Sequence, residues 1–261
     1  GIRDLVRSRG LGDVYKRQLQ PYKYMTKFEI LFGIKASEVK NTCVLLPLLV
    51  KGSLDNLGAK ELSRGKLYSS GHSEDFSVII TGMGAGMAGD AVLYLKETRC
   101  RNIILFGSCG LTQAKPGMDI GALVSPVKSY SMESFSSMLF DKKTGLKKFS
   151  SDKILMENLL KDSGDVKKVT CATLGSLKLE EGMTDLFKEK HIDVVDMECS
   201  GVFSASLSIK RRAIALFYAT DIINKKPFYS KLCEGDRSAL SFSVKKSCHT
   251  LCDFIKNNLT S

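Results

Sequence analysis

The stretch Phe76-Ser77-Val78-Ile79-Ile80-Thr81-Gly82-Met83-Gly84-Ala85-Gly86-Met87-Ala88-Gly89 runs a short apolar segment into a glycine turn and then into a helical pattern. A second run follows closely: Asn102-Ile103-Ile104-Leu105-Phe106, then Gly107-Ser108-Cys109-Gly110. Apolar runs of this length bounded by glycine predict buried strands, and residues 87–97 between them predict a helix. Strand–helix–strand order points to parallel pairing. Working outward, further strands are predicted at 42–49, 120–124, 168–172, 192–195 and 213–219, and helices at 152–162, 181–190, 197–210 and 237–257. Gly117, Gly121 and Pro126 punctuate the middle, where two strands joined by a turn make the sheet mixed. No Pro/Ser-rich linker divides the chain. The expected architecture is α/β: a single domain over 25–261, with a twisted mixed sheet flanked by helices. The charged stretch 142–149 reads as a mobile loop.

Composition narrows the function classes. The 261 residues are 43% hydrophobic and 26% charged, as in ordinary globular proteins. The longest apolar run, 44–50, is far short of the roughly 18 residues a membrane span needs, so no membrane partner is expected. Eight scattered cysteines without C-x-x-C spacing suggest reduced thiols and a cytoplasmic location. Cys248, His249 and Cys252 lack a second ligand pair, and no metal is expected. Of the net charge of +11, +4 falls in residues 1–24, which read as a non-native or disordered leader with Met25 as a native start. The remaining basic residues form dispersed doublets without interleaved aromatics, so nucleic acid is not expected as a partner.

Ligands of parallel sheets bind at the carboxyl ends of strands. Four predicted ends carry glycines, a hydroxyl or carboxylates: Gly82 to Gly89, Gly107 to Gly110, Asp196-Met197-Glu198, and Thr220-Asp221. Gly84, Gly86 and Gly89 match G-x-G-x-x-G. The acid a dinucleotide site needs at the next strand end is absent, which disfavours a NAD-dependent enzyme. A bare strand–helix turn explains the glycines equally well. Asp196 fits a helix N-cap, while Glu198 is surplus to capping. Glu198 and Asp221 are separated by one crossover helix and should face one pocket. A carboxylate pair suits glycosidic chemistry, one holding hydroxyls near a cationic transition state and the other delivering a proton.

These segments, with Pro116-Gly117-Met118-Asp119-Ile120-Gly121, occur in an order that resembles the nucleoside phosphorylase/nucleosidase superfamily. Its members include purine nucleoside and uridine phosphorylases, methylthioadenosine/S-adenosylhomocysteine nucleosidase and AMP nucleosidase. The resemblance spans about residues 42–255 and implies a phosphorylase/hydrolase-like fold. It implies Glu198 as the ribose anchor, Met197 along the ribose face, and Asp221 as the acid toward N7 of a purine. It implies Ser108 at phosphate or water, Gly82 and Gly84 as the turn near the pocket, and Thr220 where a Ser is usual. It also implies a homo-oligomer (dimer, or trimer/hexamer) and a nucleoside substrate. No cofactor is implied, phosphate serving as co-substrate only in a phosphorylase.

Departures shift the expectation. The arginines that phosphorylases carry before the Gly-Ser and after the first strand are replaced by Leu105 or Phe106 and by 47–53, where Lys51 is the only cation. Phosphate without bidentate arginine is poorly held. The water-orienting Glu of the nucleosidases is also missing from that first loop. So is the base-stacking aromatic expected near Thr173 to Ser176. Glu180 and Glu181 read more simply as helix-start acids than as pocket residues. The favoured expectation is hydrolysis of a purine-type N-ribosidic bond. Phosphorolysis is the first alternative, and a non-catalytic nucleoside-binding or storage protein on the same fold the second.

Overall fold

The computed structural model describes residues 25–59, 61–134 and 146–260; the expected leader lies outside them. Among these residues ten strands form one mixed sheet. Strand β1 (Thr42–Leu46) lies between β4 (Ser77–Ile80) and β5 (Asn102–Leu111), and both pairings are parallel. Past β4 the sheet continues through the antiparallel β3 (Ser69–His72) and β2 (Leu62–Arg64). On its other side β5 pairs in parallel with β10 (Arg212–Ile222). Strand β10 pairs antiparallel with β6 (Leu123–Met132), which runs parallel to β8 (Lys167–Leu174). Strand β8 is parallel to β9 (Val194–Asp196), and β9 returns antiparallel to β5. Strands β5, β10, β6, β8 and β9 therefore close a ring, and β7 (Lys148–Ser150) adds to β6.

The sheet divides its side chains by the alternation every strand imposes. Cys43 and Leu45 of β1 join Ile103 and Leu105 of β5 in one cluster, while Val44 and Leu46 join Ile104 and Phe106 in another. Helices α1 (Lys27–Phe32), α2 (Ser53–Asn56), α3 (Ala85–Tyr94), α4 (Lys153–Asp162), α5 (Leu177–Glu180), α6 (Thr184–Glu189), α7 (Cys199–Ser208) and α8 (Glu234–Asn258) are the described α-helices, and short 3-10 turns lie at Ala36–Glu38 and Leu95–Glu97. The first cluster is covered by α3 and α7 through Ala88, Val92, Val202 and Phe203. The second is covered by α8 through Leu251, Phe254 and Ile255. Coverage on both faces explains why β1 and the first half of β5 read as unbroken apolar runs. Helices α3 and α7 meet closely: a methyl on Gly201 would lie 2.6 Å from the Ala85 carbonyl oxygen.

Several expected boundaries move. Gly107 to Gly110 and Thr220-Asp221 do not follow their strands but lie inside β5 and β10. Two long partners, β5 and β10, satisfy each other's backbone across the glycines, so apolar side chains are not needed to continue the ladder. Residues 120–122 precede β6, which instead runs on to Met132. Lys148 and Phe149, expected in a loop, pair with β6; residues 142–145 lie outside the described set. Helix α1 and the hairpin β2–β3 carry too little apolar periodicity to be read in advance. Among the described residues no helix is long and apolar enough to cross a membrane.

Candidate active site

A pocket opens where β5 passes between the ends of β9 and β10. Its walls include Ser108 and Gly110 from β5, Asp196 from β9, Met197 and Glu198 at the entry to α7, and Thr220 and Asp221 from β10. Strand β9 runs against β5, so this is not one row of parallel strand ends. The ring brings the end of β9 beside the far half of β5 instead, with Val195 opposite Gly110.

A bulge aims the β10 residues. Ala219 pairs with Cys109 and Asp221 with Gly110, which leaves Thr220 as the extra residue. A bulge breaks the strict alternation of faces, so consecutive residues reach the same pocket. The Thr220 hydroxyl lies 2.7 Å from Asp221 Oδ1 and 3.2 Å from the Cys109 carbonyl oxygen. Asp221 Oδ2 would sit 2.9 Å from a Cβ on residue 110, so only glycine leaves the carboxyl its place. Burial pushes the Asp221 pKa up, and the Thr220 hydroxyl pulls against that rise.

Glu198 is 6% exposed, and its Oε1 accepts the Gly84 N–H at 2.6 Å. Gly84 holds φ +106, a conformation side-chain-bearing residues rarely adopt, and this turns its N–H toward Glu198. Burial and then the charge of Asp196 raise the Glu198 pKa. Asp196 is differently placed. Its Oδ2 accepts the N–H groups of Glu198 (2.9 Å) and Cys199 (2.5 Å) at the start of α7. Its Oδ1 accepts the Thr173 hydroxyl at 2.7 Å and the Cys171 thiol at 3.4 Å. Asp196 was expected as the N-cap; the N-cap position falls on Glu198, and Asp196 fastens the start of α7 from two residues before it. The ligand atoms of Cys171, Asp196 and Cys199 lie within 4.8 Å of one another. Both Asp196 oxygens are already engaged, by the Cys171 thiol and the Cys199 backbone N–H among others, and burial raises both thiols' pKa.

A fourth acid enters from α5. Glu180 is 8% exposed and lines the pocket, and its Oε2 has no hydrogen-bond partner. Burial, then Asp221 and Glu181, push its pKa up to about 7. The helix-start reading of Glu180 is thus corrected, because α5 ends at Glu180 and turns it inward. Glu181 does stay outside, paired with Lys178 at 2.6 Å.

Of the residues expected at the site, Asp221, Glu198, Met197, Ser108 and Thr220 all line this pocket. Gly82 and Gly84 do not line it; the Met83 between them does, and Gly84 acts through Glu198. Leu105 and Phe106, where arginines were looked for, are buried in the two core clusters. Among the described residues no lysine or arginine lines the pocket. Sequence reasoning missed an apolar rim of Leu48, Leu177 and Phe228, whose exposures are 58%, 48% and 69%. Phe228 adds an exposed aromatic ring to this rim. The only advance signal was the Phe228-Tyr229 pair in a polar loop, a large exposed apolar group with no packing task.

Comparisons with known proteins bear on the family and the fold. A family profile described as "Phosphorylase superfamily" matches residues 46–249. No curated protein sequence matches the chain. Among solved structures, uridine phosphorylase from Vibrio fischeri ES114 superposes with a TM-score of 0.70 at 16% identity, covering 90% of this chain and 100% of that one. The 5'-methylthioadenosine/S-adenosyl homocysteine nucleosidase of Campylobacter jejuni gives 0.65 at 13% identity, covering 84% and 99%. AMP nucleosidase from Bacteroides thetaiotaomicron VPI-5482 gives 0.63 at 13% identity, covering 93% and 98%. The chain belongs to the phosphorylase superfamily, whose nucleosidases and nucleoside phosphorylases cleave N-glycosidic bonds.

Proposed function

We propose that this superfamily member hydrolyses the N-glycosidic bond of a purine nucleoside. One observation carries the preference for water over phosphate: among the described residues, Glu180, Asp196, Glu198 and Asp221 line the pocket and no basic side chain does. An incoming phosphate would meet buried acids without a cation to offset them, whereas neutral water meets no such repulsion. In this reading Asp221, whose carboxyl is shifted by burial toward its protonated form, donates its proton to N7 of the departing base. Glu198 is held by the Gly84 N–H on one oxygen and offers the other to the ribose hydroxyls. Once ionised, against a pKa that burial and Asp196 push up to about 8, Glu198 sets a negative charge facing the cation that develops on the sugar as the bond opens. Met197 lies against the ribose, Ser108 contacts the nucleophile, Thr220 orients the Asp221 carboxyl, and Phe228 covers the base. A homo-oligomer in which a second copy covers the apolar rim fits this reading.

The test is base release from inosine, adenosine and methylthioadenosine, each with and without phosphate, followed by chromatography. Turnover in phosphate-free buffer yielding free ribose is expected. Strict phosphate dependence, with ribose 1-phosphate as product, would replace hydrolysis by phosphorolysis. Tight nucleoside binding with no turnover would replace both by storage.

A further inference from the structure

Strand β8 is buried from Cys171 to Leu174, and a hydroxyl, that of Thr173, stands inside this apolar run. A hydroxyl is costly to bury unless it is bonded. Thr173 lies opposite Asp196 in the parallel register of β8 with β9. A hydroxyl has one proton and two lone pairs, and here all three are used. The proton goes to Asp196 Oδ1 at 2.7 Å. One lone pair accepts the Ser200 N–H at 2.7 Å, and the other faces the Ser129 hydroxyl at 2.9 Å.

The Ser200 N–H belongs to the first turn of α7, whose N-cap position is Glu198. The first N–H groups of a helix have no partners within it, and the N-cap side chain ordinarily folds back to bond one of them. Glu198 makes no such bond; its Oε1 takes the Gly84 N–H instead. The donors it would cap are already occupied from outside the helix. Asp196 holds the Cys199 N–H and Thr173 holds the Ser200 N–H.

We infer that Thr173 is a positioning residue: by taking the Ser200 N–H from a neighbouring strand it stands in for the N-cap side chain, and so leaves the Glu198 carboxyl aimed at the sugar. The inference rests on the N-glycosidic reading above for what Glu198 does there. Thr173 itself does not line the pocket. Thr173→Val keeps the branched shape and deletes the hydroxyl. The Ser200 N–H is then a buried donor without a partner, and the carboxyl at the N-cap position is the one placed to take it. The Ser200 hydroxyl is occupied with Glu133 at 3.2 Å. Glu198 titrates at about 8, so near neutrality its carboxyl turns toward Asp196 without like-charge repulsion. It leaves Gly84, and the sugar loses its anchor.

The experiment measures kcat/KM for adenosine and for dideoxyadenosine, which lacks both secondary hydroxyls, on the full chain. Wild type, Thr173→Val and Thr173→Ser are compared. Thr173→Val is expected to lower the adenosine-to-dideoxyadenosine ratio about 10–100-fold, the worth of hydrogen bonds to a charged group. Thr173→Ser, which keeps the hydroxyl, is expected to hold the wild-type ratio. A merely structural loss lowers both substrates together, so an unchanged ratio in Thr173→Val overturns the inference. Thr173→Ala is read in the same way where the valine does not fold. If wild type cleaves neither nucleoside, or both equally, the ribose-anchor reading of Glu198 fails by itself. A crystal structure of the variant then decides the role of Thr173. A Glu198 carboxyl moved onto the Ser200 N–H supports it, and one still on the Gly84 N–H overturns it.

Discussion

The junction of β9 with α7 and the end of β10 each bury an aspartate against the same pocket, and the two live in opposite circumstances. Asp196 receives two backbone N–H groups, a hydroxyl and a thiol. Asp221 receives one hydroxyl, from its own neighbour in the chain. Burial raises the pKa of both, but only at Asp196 do several donors pull it back. A carboxylate fully supplied with donors fixes the chain and has nothing left to offer a ligand. A carboxyl with few donors is shifted toward its protonated form and keeps an oxygen for a ligand. The fold thus spends one acid on architecture and withholds partners from another.

The sharpest way to break this contrast is to remove each acid in turn. Asp221→Asn is expected to lower kcat on a purine nucleoside by about 10²–10⁴-fold, with circular dichroism and Tm nearly unchanged. A normal rate, or a collapsed fold, would erase the distinction. Asp196→Ala strands the donors that bind it and should cost about 3 kcal/mol, a Tm loss of roughly 6–12 °C in thermal unfolding. Gly110→Ala tests the space beside Asp221. The new methyl must displace the carboxyl or the strand, at about 1–3 kcal/mol of stability, and kcat should fall more than KM changes.

The smallest effect concerns pH. Glu180 binds its proton more tightly folded, with a pKa of about 7, than an ordinary carboxyl near 4.5. The folded state therefore loses relative stability as pH rises from that ordinary value through about 7, and Glu180→Gln removes the loss. The variant should melt roughly 2–4 °C higher than the wild type at about pH 8, with no difference at about pH 4. A gain that is largest in acid would reverse the assigned sign.

The glycine turn at Gly82 to Gly86, the apolar runs and the acids at 196, 198 and 221 were legible because each violates what a plain core would hold. Glu180 was weighed and set aside, because a short sequence of acids looks the same whether it caps a helix or turns inward; only the end of α5 decides. The ring closure was illegible for a different reason. The antiparallel return of β9 onto β5 depends on two residue pairs, Gly110 with Val195 and Leu111 with Val194, too few to imprint a pattern. Phe228 escaped because an aromatic in a loop acquires meaning only from what it overhangs.

The closed ring also bears on how the chain is made. Its last member, residues 212–222, pairs with 102–111, so closure waits until most of the polypeptide has been synthesised. Before then β5 and β6 each present an unsatisfied edge, and such edges recruit other nascent chains. Pairings this distant in sequence also form slowly. The strand that seals those edges is the one that carries Asp221, so a ribosome product released too early would lack that acid and be prone to aggregate.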